Sequence, residues 1–109
     1  MNRQQLLTPE LRGRLPRLYS QEKSGEQAIV QVKFFGILSL GHWTWYVLEG
    51  EPEDTDYVFF GFVSGIADEF GSFRLSELQS LCGPGGQAVE LDHSFREGKL
   101  TDVVPAPDV

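Results

Sequence analysis

The feature that most constrains the fold is a forty-residue stretch, residues 34–73, that holds 11 of the chain's 13 aromatic residues and neither lysine nor arginine. Within it, apolar side chains recur at every second position over short segments, and glycine, proline and acidic residues separate those segments. This pattern is typical of β-strands joined by turns. Because large aromatic side chains are mostly buried in folded proteins, the stretch predicts the centre of a sheet and of the core.

The same stretch is also strongly acidic. It contains seven carboxylates: Glu49, Glu51, Glu53, Asp54, Asp56, Asp68 and Glu69. Residues 1–33 carry six basic side chains against three acidic ones, residues 74–109 carry three against six, and the whole chain has a net charge of −7. Binding of nucleic acid depends on basic side chains that displace counterions, so we expect no direct nucleic-acid ligand. The charge favours a basic surface on a partner protein.

The N-terminal part predicts a short helix. Thr8 is a suitable N-cap, Pro9 suits the first helical position, and Pro16 stops the helix. Apolar residues at a spacing of three to four give this segment one apolar face: Leu7, Leu11, Leu15 and Leu18.

Three strands follow, over residues 28–35, 43–49 and 57–63. In the first, Val30, Val32 and Phe34 are expected on one face. In the second, the expected faces are Trp43, Trp45 and Val47 on one side and Thr44, Tyr46 and Leu48 on the other. The third is apolar on both faces and is therefore placed centrally. Its Gly61 indicates a bulge or close packing by a neighbouring aromatic ring. Residues 51–56 are expected to form an acidic turn.

The remaining elements are shorter. A turn over residues 65–71 leads to a short strand at 72–74, and Ser76 is expected to cap a second helix that ends in the glycine-rich segment 83–86. Its inward-facing residues are expected to be Leu75, Leu78 and Leu81. Residues 89–91 are expected to add an edge strand.

These segments predict an α+β fold: a four- to five-stranded antiparallel meander with two short helices covering one face. At this length we expect a single domain, residues 1–104, and a flexible C-terminal tail, residues 105–109. Cys82 is the only cysteine, which excludes an internal disulfide and favours a reducing cytoplasm. No apolar run approaches the length of a membrane span, and residues 1–5 lack the apolar core of a signal peptide.

Several short motifs occur in a fixed order along residues 6–91: Leu7-Thr8-Pro9-Glu10-Leu11, Leu15-Pro16, Leu18-Tyr19-Ser20, residues 30–35, Trp43-Thr44-Trp45-Tyr46, Phe59-Phe60-Gly61, Val63, Gly65, Glu69, Gly71, Phe73 and Leu75-Ser76-Glu77-Leu78. In this order the chain resembles DUF2958, a small bacterial family of unknown function. The resemblance implies a small stand-alone protein of mobile genetic elements such as plasmids and phage-like regions. It implies no catalytic residues.

The residues themselves favour no catalytic or metal site. Asp92, His93 and Ser94 are adjacent, whereas a catalytic triad converges in space from separate positions. Cys82 is expected at the C-terminal end of a helix, where the dipole disfavours a thiolate. Two histidines 51 positions apart and one cysteine match no zinc spacing, and the acidic turn lacks the glycine and final glutamate of a calcium loop. We therefore expect a protein that is not an enzyme and carries neither cofactor nor metal.

The leading functional hypothesis is a protein–protein interaction module. Its sharpest form is an anti-defence inhibitor that occupies the basic nucleic-acid groove of a restriction or CRISPR effector. The acids would stand in for phosphates, and aromatic side chains would anchor the partner. The candidate partner-binding residues are Trp43, Trp45, Tyr46, Glu49, Glu51, Glu53, Asp54, Asp56, Asp68 and Glu69.

Two alternatives stay open. One is an accessory factor for plasmid replication or transfer that binds a DNA-processing enzyme or its single-stranded substrate. The other is a small enzyme, which a deep pocket with His93 or Cys82 beside carboxylates would favour. The sequence is compatible with a monomer and with a homodimer, since an exposed edge strand could pair two copies.

Overall fold

The structure is a computed structural model that describes residues 5–21, 23–83 and 86–104. Three α-helices form in these residues: α1 (Pro9–Arg14), α2 (Leu75–Ser80) and α3 (Leu100–Val103). Two 3₁₀ turns lie at Gly25–Gln27 and Leu38–Leu40. The predicted tail, residues 105–109, and Pro84-Gly85 of the predicted helix terminator lie outside the described residues.

The strands pair into one main sheet and two small ones. The main sheet contains β2 (Val32–Gly36), β3 (Thr44–Glu53), β4 (Asp56–Ser64), β5 (Asp68–Arg74) and β8 (Val89–Leu91). Two-stranded ladders join β1 (Ile29–Val30) to β9 (Gly98–Lys99) and β6 (Cys82–Gly83) to β7 (Gly86–Gln87).

The main sheet has the order β5-β4-β3-β2-β8, and all of its pairs are antiparallel. Strands β2 to β5 form the predicted meander, with β4 inside the sheet as expected. Strand β8 returns across the sheet and pairs with β2, so the fifth strand closes the opposite edge. The α+β prediction with a five-stranded antiparallel sheet is confirmed.

The first face of the sheet carries the larger core. Phe34, Val47 and Phe59 are fully buried there, and Trp45, Tyr57 and Phe73 surround them. Both predicted helices cover this face, with the participating leucines Leu7, Leu11, Leu15, Leu75, Leu78 and Leu81. The helix start is also as predicted, because the Thr8 hydroxyl oxygen accepts a hydrogen bond from the Leu11 N–H at 3.2 Å.

The second face is covered by the C-terminal part of the chain. Tyr46 and Leu48 are buried there against Val30 and Leu100, and Leu100 begins α3. The prediction that Val30 shares a face with Val32 and Phe34 is wrong. The strand is interrupted at Gln31, whose N–H bonds the Val47 carbonyl, and the side-chain alternation restarts after it.

Strand β3 contains a β-bulge and extends further than the sequence predicted. The ladder between β3 and β4 shifts register between Val47 and Glu49, so Leu48 is the extra residue. The strand continues to Glu53, and the predicted acidic turn shrinks to Asp54 and Thr55. The glycine opposite the bulge is Gly61, where a Cβ would lie 2.0 Å from the Tyr46 carbonyl oxygen. Of the two alternatives predicted for Gly61, the bulge is therefore confirmed, on the neighbouring strand, whereas the close neighbour is backbone and not an aromatic ring.

Strand β5 and helix α2 both begin earlier than the sequence predicted. Strand β5 begins at Asp68, so the predicted turn over residues 65–71 is shorter and the predicted short strand is longer. Helix α2 begins at Leu75, one residue before the predicted Ser76 cap. Ser76 instead donates from its N–H and hydroxyl to the Asp56 carboxylate, at 3.1 and 2.5 Å. This contact joins α2 to the start of β4.

Candidate interaction edge

The bulge determines on which face of the sheet the acidic residues of β3 lie. Without it, Glu49 would follow Trp45 and Val47 onto the first face, inside the larger core. After it, Glu49 and Glu51 lie opposite Phe60 and Val58 on the second face. A single inserted residue thus keeps the glutamates out of the aromatic core.

Glu49 is buried, with 3% of its surface exposed, and its carboxylate is used inside the molecule. It accepts hydrogen bonds from the backbone N–H groups of Tyr19 and Gln21, at 2.7 and 2.5 Å. Glu51 accepts another from the Leu18 N–H at 3.1 Å. These carboxylates therefore fix the loop after α1 onto the sheet and are not part of a free acidic surface.

This loop is held in an unusual backbone conformation. Tyr19 has a φ of 71°, which a non-glycine residue adopts at an energetic cost, and its ring is 76% exposed. The Gln21 side chain extends the attachment, because its amide nitrogen donates to the Ile29 and Leu48 carbonyls and its oxygen accepts from the Ile29 N–H. The loop is thus a wall fixed by side chains, with an exposed aromatic ring at its rim.

Two further predicted acids also have internal partners. Glu53 forms an ion pair with Arg74, which raises the pKa of the Arg74 guanidinium. The hydrogen bond from the Ser76 hydroxyl, followed by that from the Tyr57 N–H, lowers the pKa of Asp56. Both residues stabilise the end of the sheet where β4 begins and β5 ends.

The predicted aromatic anchors lie mainly in the core. Trp45 and Tyr46 are 6% and 3% exposed, on opposite faces of the sheet. Trp43 is half-buried, stacks on Trp45 at 6.0 Å between ring centroids, and covers Gly65, where a Cβ would lie 2.3 Å from the indole. The structure therefore does not bring these rings together with the acids into one surface.

Asp54, Asp68 and Glu69 remain exposed, and two of them lie beside apolar side chains. Ile66 and Phe70 are 87% and 44% exposed and flank Asp68 and Glu69 at the start of β5. We call these four residues, Ile66, Asp68, Glu69 and Phe70, the acidic edge. Register places Asp68 and Phe70 on the second face and Glu69 on the first.

A cleft of about 600 Å³ lies on the second face next to the acidic edge. Its sheet side carries Leu48, Val58, Phe60, Phe70 and Ser72, and its loop side carries Leu18, Tyr19, Gln21 and Gly25. Glu49, Glu53 and Arg74 complete the lining. The rings of Phe60 and Phe70 are nearly parallel, 8° apart, with centroids at 6.2 Å. The cleft is thus an aromatic and aliphatic slot with one charged end.

Cys82 and His93, the residues that would favour a catalytic site, do not line the cleft. Cys82 is exposed at the start of β6. His93 lines a smaller cavity of about 230 Å³ with Glu10 and Asp92, and Asp92 is 3.6 Å from the Lys33 ammonium. Among the described residues no three His, Cys, Asp or Glu side chains come together to hold a metal ion. In the same part of the chain no helix has the length and apolarity needed to cross a bilayer.

The comparisons with known proteins identify the family. Residues 6–103 match the family described as "Protein of unknown function (DUF2958)". The chain belongs to the DUF2958 family. No curated protein and no solved structure matches it significantly. The resemblance inferred from the ordered motifs is thereby confirmed over nearly the whole chain. The cleft and the acidic edge lie within the part that matches DUF2958.

Sequence reasoning missed Ile66, Phe70 and Tyr19. The signal for Phe70 was present, since it is an aromatic residue directly after two acids and before a glycine. The sequence pattern predicts a turn for this segment, and only the ladder with β4 shows it to be an edge strand. Tyr19 belongs to the motif Leu18-Tyr19-Ser20, but no pattern pointed to its exposed position, because that depends on Glu49, thirty residues away in the sequence.

Proposed function

We propose that the protein is a non-enzymatic interaction module that binds a basic surface of another protein through the acidic edge. The observation that carries this proposal is the juxtaposition of exposed apolar side chains, Ile66 and Phe70, with the exposed carboxylates of Asp68 and Glu69. Apolar anchors surrounded by charge are typical of protein-binding surfaces. The strands β3, β4 and β5 contain one basic residue, Arg74, and Glu53 already neutralises it.

The anti-defence form of the proposal follows from this charge pattern and from the implied association with mobile elements. A carboxylate surface on an edge strand would compete with phosphates for a basic groove of a nucleic-acid-binding effector. The set of participating acids is smaller than the sequence suggested. Glu49 is buried, whereas Glu51, Glu53 and Asp56 already bond to other parts of the fold.

The test is a capture experiment with nuclease-treated lysate of the native host, using the tagged full-length protein. The variant Asp68→Asn/Glu69→Gln removes two charges from the acidic edge. The control Glu26→Gln/Asp102→Asn makes the same two exchanges at exposed positions elsewhere. We expect one dominant basic protein with the wild type and the control, displaced by added duplex DNA, and its loss with the edge variant. Equal capture by all three proteins would contradict the proposal.

A small enzyme is the second candidate, because His93, Glu10 and Asp92 line the same smaller cavity. It ranks second because Asp92 already pairs with Lys33 and the His93 side chain is exposed to solvent, which offers little exclusion of water. Screening of hydrolase and transferase substrates with wild type and His93→Ala separates the two. A turnover lost in His93→Ala would support the enzymatic role. The accessory-factor alternative predicts retention on DNA cellulose at physiological salt.

A further inference from the structure

The free side of β5 is unusual for an edge strand. The main sheet ends at β5 in the described part of the chain, and the strand is seven residues long. Natural edges are normally protected by charged side chains, above all lysine, or by proline, a bulge, shortness or a covering element. Strand β5 contains neither lysine nor proline, its ladder with β4 has no register shift, and its charged residues lie at its two ends, so residues 70–73 carry no charge. The opposite edge, β8, is only three residues long. Strand β5 therefore offers a row of backbone donors and acceptors that ends at Arg74, where the N–H donates to the Glu77 carboxylate at 3.2 Å.

The charges around this free side define the partner. Asp68 and Glu69 lie at the start of β5, and the positive charge of Arg74 at its end is neutralised by Glu53. The charge of Asp68 also acts along the second face. Burial is the main cause that raises the pKa of Tyr46, and the negative charge of Asp68 raises it further. An extended segment with lysine or arginine fits this field. A second copy of this chain, with a net charge of −7, fits it poorly.

The cleft requires a large apolar side chain in the segment that binds β5. Every second side chain of a strand added to β5 would point to the second face. Phe70 and Ser72 both line the cleft on that face, so a side chain opposite either of them reaches its mouth. The far wall, with Tyr19 at its rim, is already held in place by Glu49. A large apolar side chain would then be enclosed between two preformed walls, which reduces the entropy cost of binding.

We propose that an extended basic segment of a partner protein adds to β5 as a sixth strand and inserts one large apolar side chain into the cleft. This inference rests on the proposed function and specifies how the acidic edge recognises its partner. The expected pattern on one side of the segment is a basic residue opposite Asp68 and a large apolar residue opposite Phe70 or Ser72. Backbone pairing supplies affinity, and the cleft supplies selectivity, as in other cases of strand addition.

The test begins with selection of a random twelve-residue peptide library against the immobilised full-length protein. The best peptide is then measured by calorimetry and by amide shifts of the ¹⁵N-labelled protein. We expect enriched peptides to be basic, to alternate in polarity, and to shift the amides of β5. Phe70→Ser and Tyr19→Ser should each weaken binding by about tenfold, since each removes a wall of the cleft. Leu38→Ser, an exposed leucine elsewhere, is the control and should bind like the wild type.

Two N-methylated versions of the peptide test the backbone pairing. One is methylated at the odd and the other at the even positions, so only one set removes the N–H groups that face β5. We expect one version to lose binding and the other to match the parent. If both match the parent, strand addition is wrong. If binding is also unchanged by Asp68→Asn/Glu69→Gln, the proposed function fails with it.

A second copy of the chain is the competing occupant. In an antiparallel pair of β5 strands centred on Gly71, the two glycines would face each other, and a Cβ at Gly71 has no atom within 4 Å. A cysteine at this position would therefore report such a pair. Because the proposal places a partner protein and not a second copy on β5, Gly71→Cys in a Cys82→Ser background should stay uncrosslinked under mild oxidation, and light scattering should give a monomer. An efficient disulfide-linked dimer would place a second copy on β5 and overturn the proposal.

Discussion

The two faces of the main sheet differ in how they are closed, although both are rich in aromatic residues. On the first face, α1 and α2 cover Phe34, Phe59 and Phe73 completely or nearly so. On the second face, α3 covers the half around Tyr46, and Phe60, Phe62 and Phe70 stay partly exposed. The comparison shows that aromatic content alone does not distinguish core from binding surface. The available covering elements decide it, and two short helices are enough for one face only.

A pair of truncations on opposite faces tests this difference most directly. Phe59→Ala removes a fully buried ring that contacts Phe34, Tyr57 and Phe73, and should lower the free energy of unfolding by about 3–5 kcal/mol. Phe70→Ala on the open face should lower it by less than about 1 kcal/mol. Urea denaturation followed by tryptophan fluorescence measures both. Equal losses would mean that the second face is as closed as the first.

A smaller change in the free energy of unfolding distinguishes a buried acid with internal hydrogen bonds, Glu49, from an exposed acid. Glu49→Gln replaces one carboxylate oxygen by an amide NH₂ group, which sets a donor against one of the two backbone N–H groups, and should cost about 1.5–3 kcal/mol of unfolding free energy. The control is Glu26→Gln, the same exchange at an exposed position, and it should stay within about 0.5 kcal/mol. A thermal or urea series on the three proteins provides the comparison. A neutral Glu49→Gln variant would show that the loop after α1 does not depend on this carboxylate.

The smallest expected effect is a pH dependence at the end of β4. Hydrogen bonds from Ser76 and Tyr57 lower the pKa of Asp56 below its ordinary value of 3.8. Because the folded-state pKa is depressed, the stabilisation is complete above the ordinary value and is lost as the pH falls below it, towards the folded-state pKa. Asp56→Asn should therefore flatten the decline in melting temperature below about pH 4. Asp54→Asn, in the neighbouring turn, should keep the wild-type slope, and a flattened slope there would contradict the assignment.

The sequence predicted the strands better than their ends. Period-two patterns located β2 and β3, a run that is apolar on both faces located β4, and the Thr8-Pro9 pair located α1, because these signals depend on neighbouring residues. The end of β3 and the start of β5 were misplaced. Acidic residues and glycine normally indicate turns, and here pairing with β4 keeps them in strands. Helix α3 was not predicted, since its four residues carry too short a pattern and form a helix only against the second face.

The candidate site was predicted only in part, for a related reason. Asp68 and Glu69 were identified from charge, and both lie on the acidic edge. Trp45 and Tyr46 were also named, although burial on either face of β3 removes them from the surface. Sequence indicates that a residue is aromatic or acidic, but its exposure depends on which elements pack over it.

The amino-acid sequence by itself determined an antiparallel sheet with aromatic residues on both faces, an acidic central stretch, two helices on one face and membership of DUF2958. These properties follow from side-chain periodicity, composition and motif order. Only the tertiary structure decided which acids are exposed. The bulge at Leu48 turns Glu49 and Glu51 towards the second face, where backbone groups from thirty residues away occupy them, and the end of the sheet at β5 leaves Asp68 and Glu69 exposed. Both outcomes depend on contacts between distant segments, which no local pattern contains.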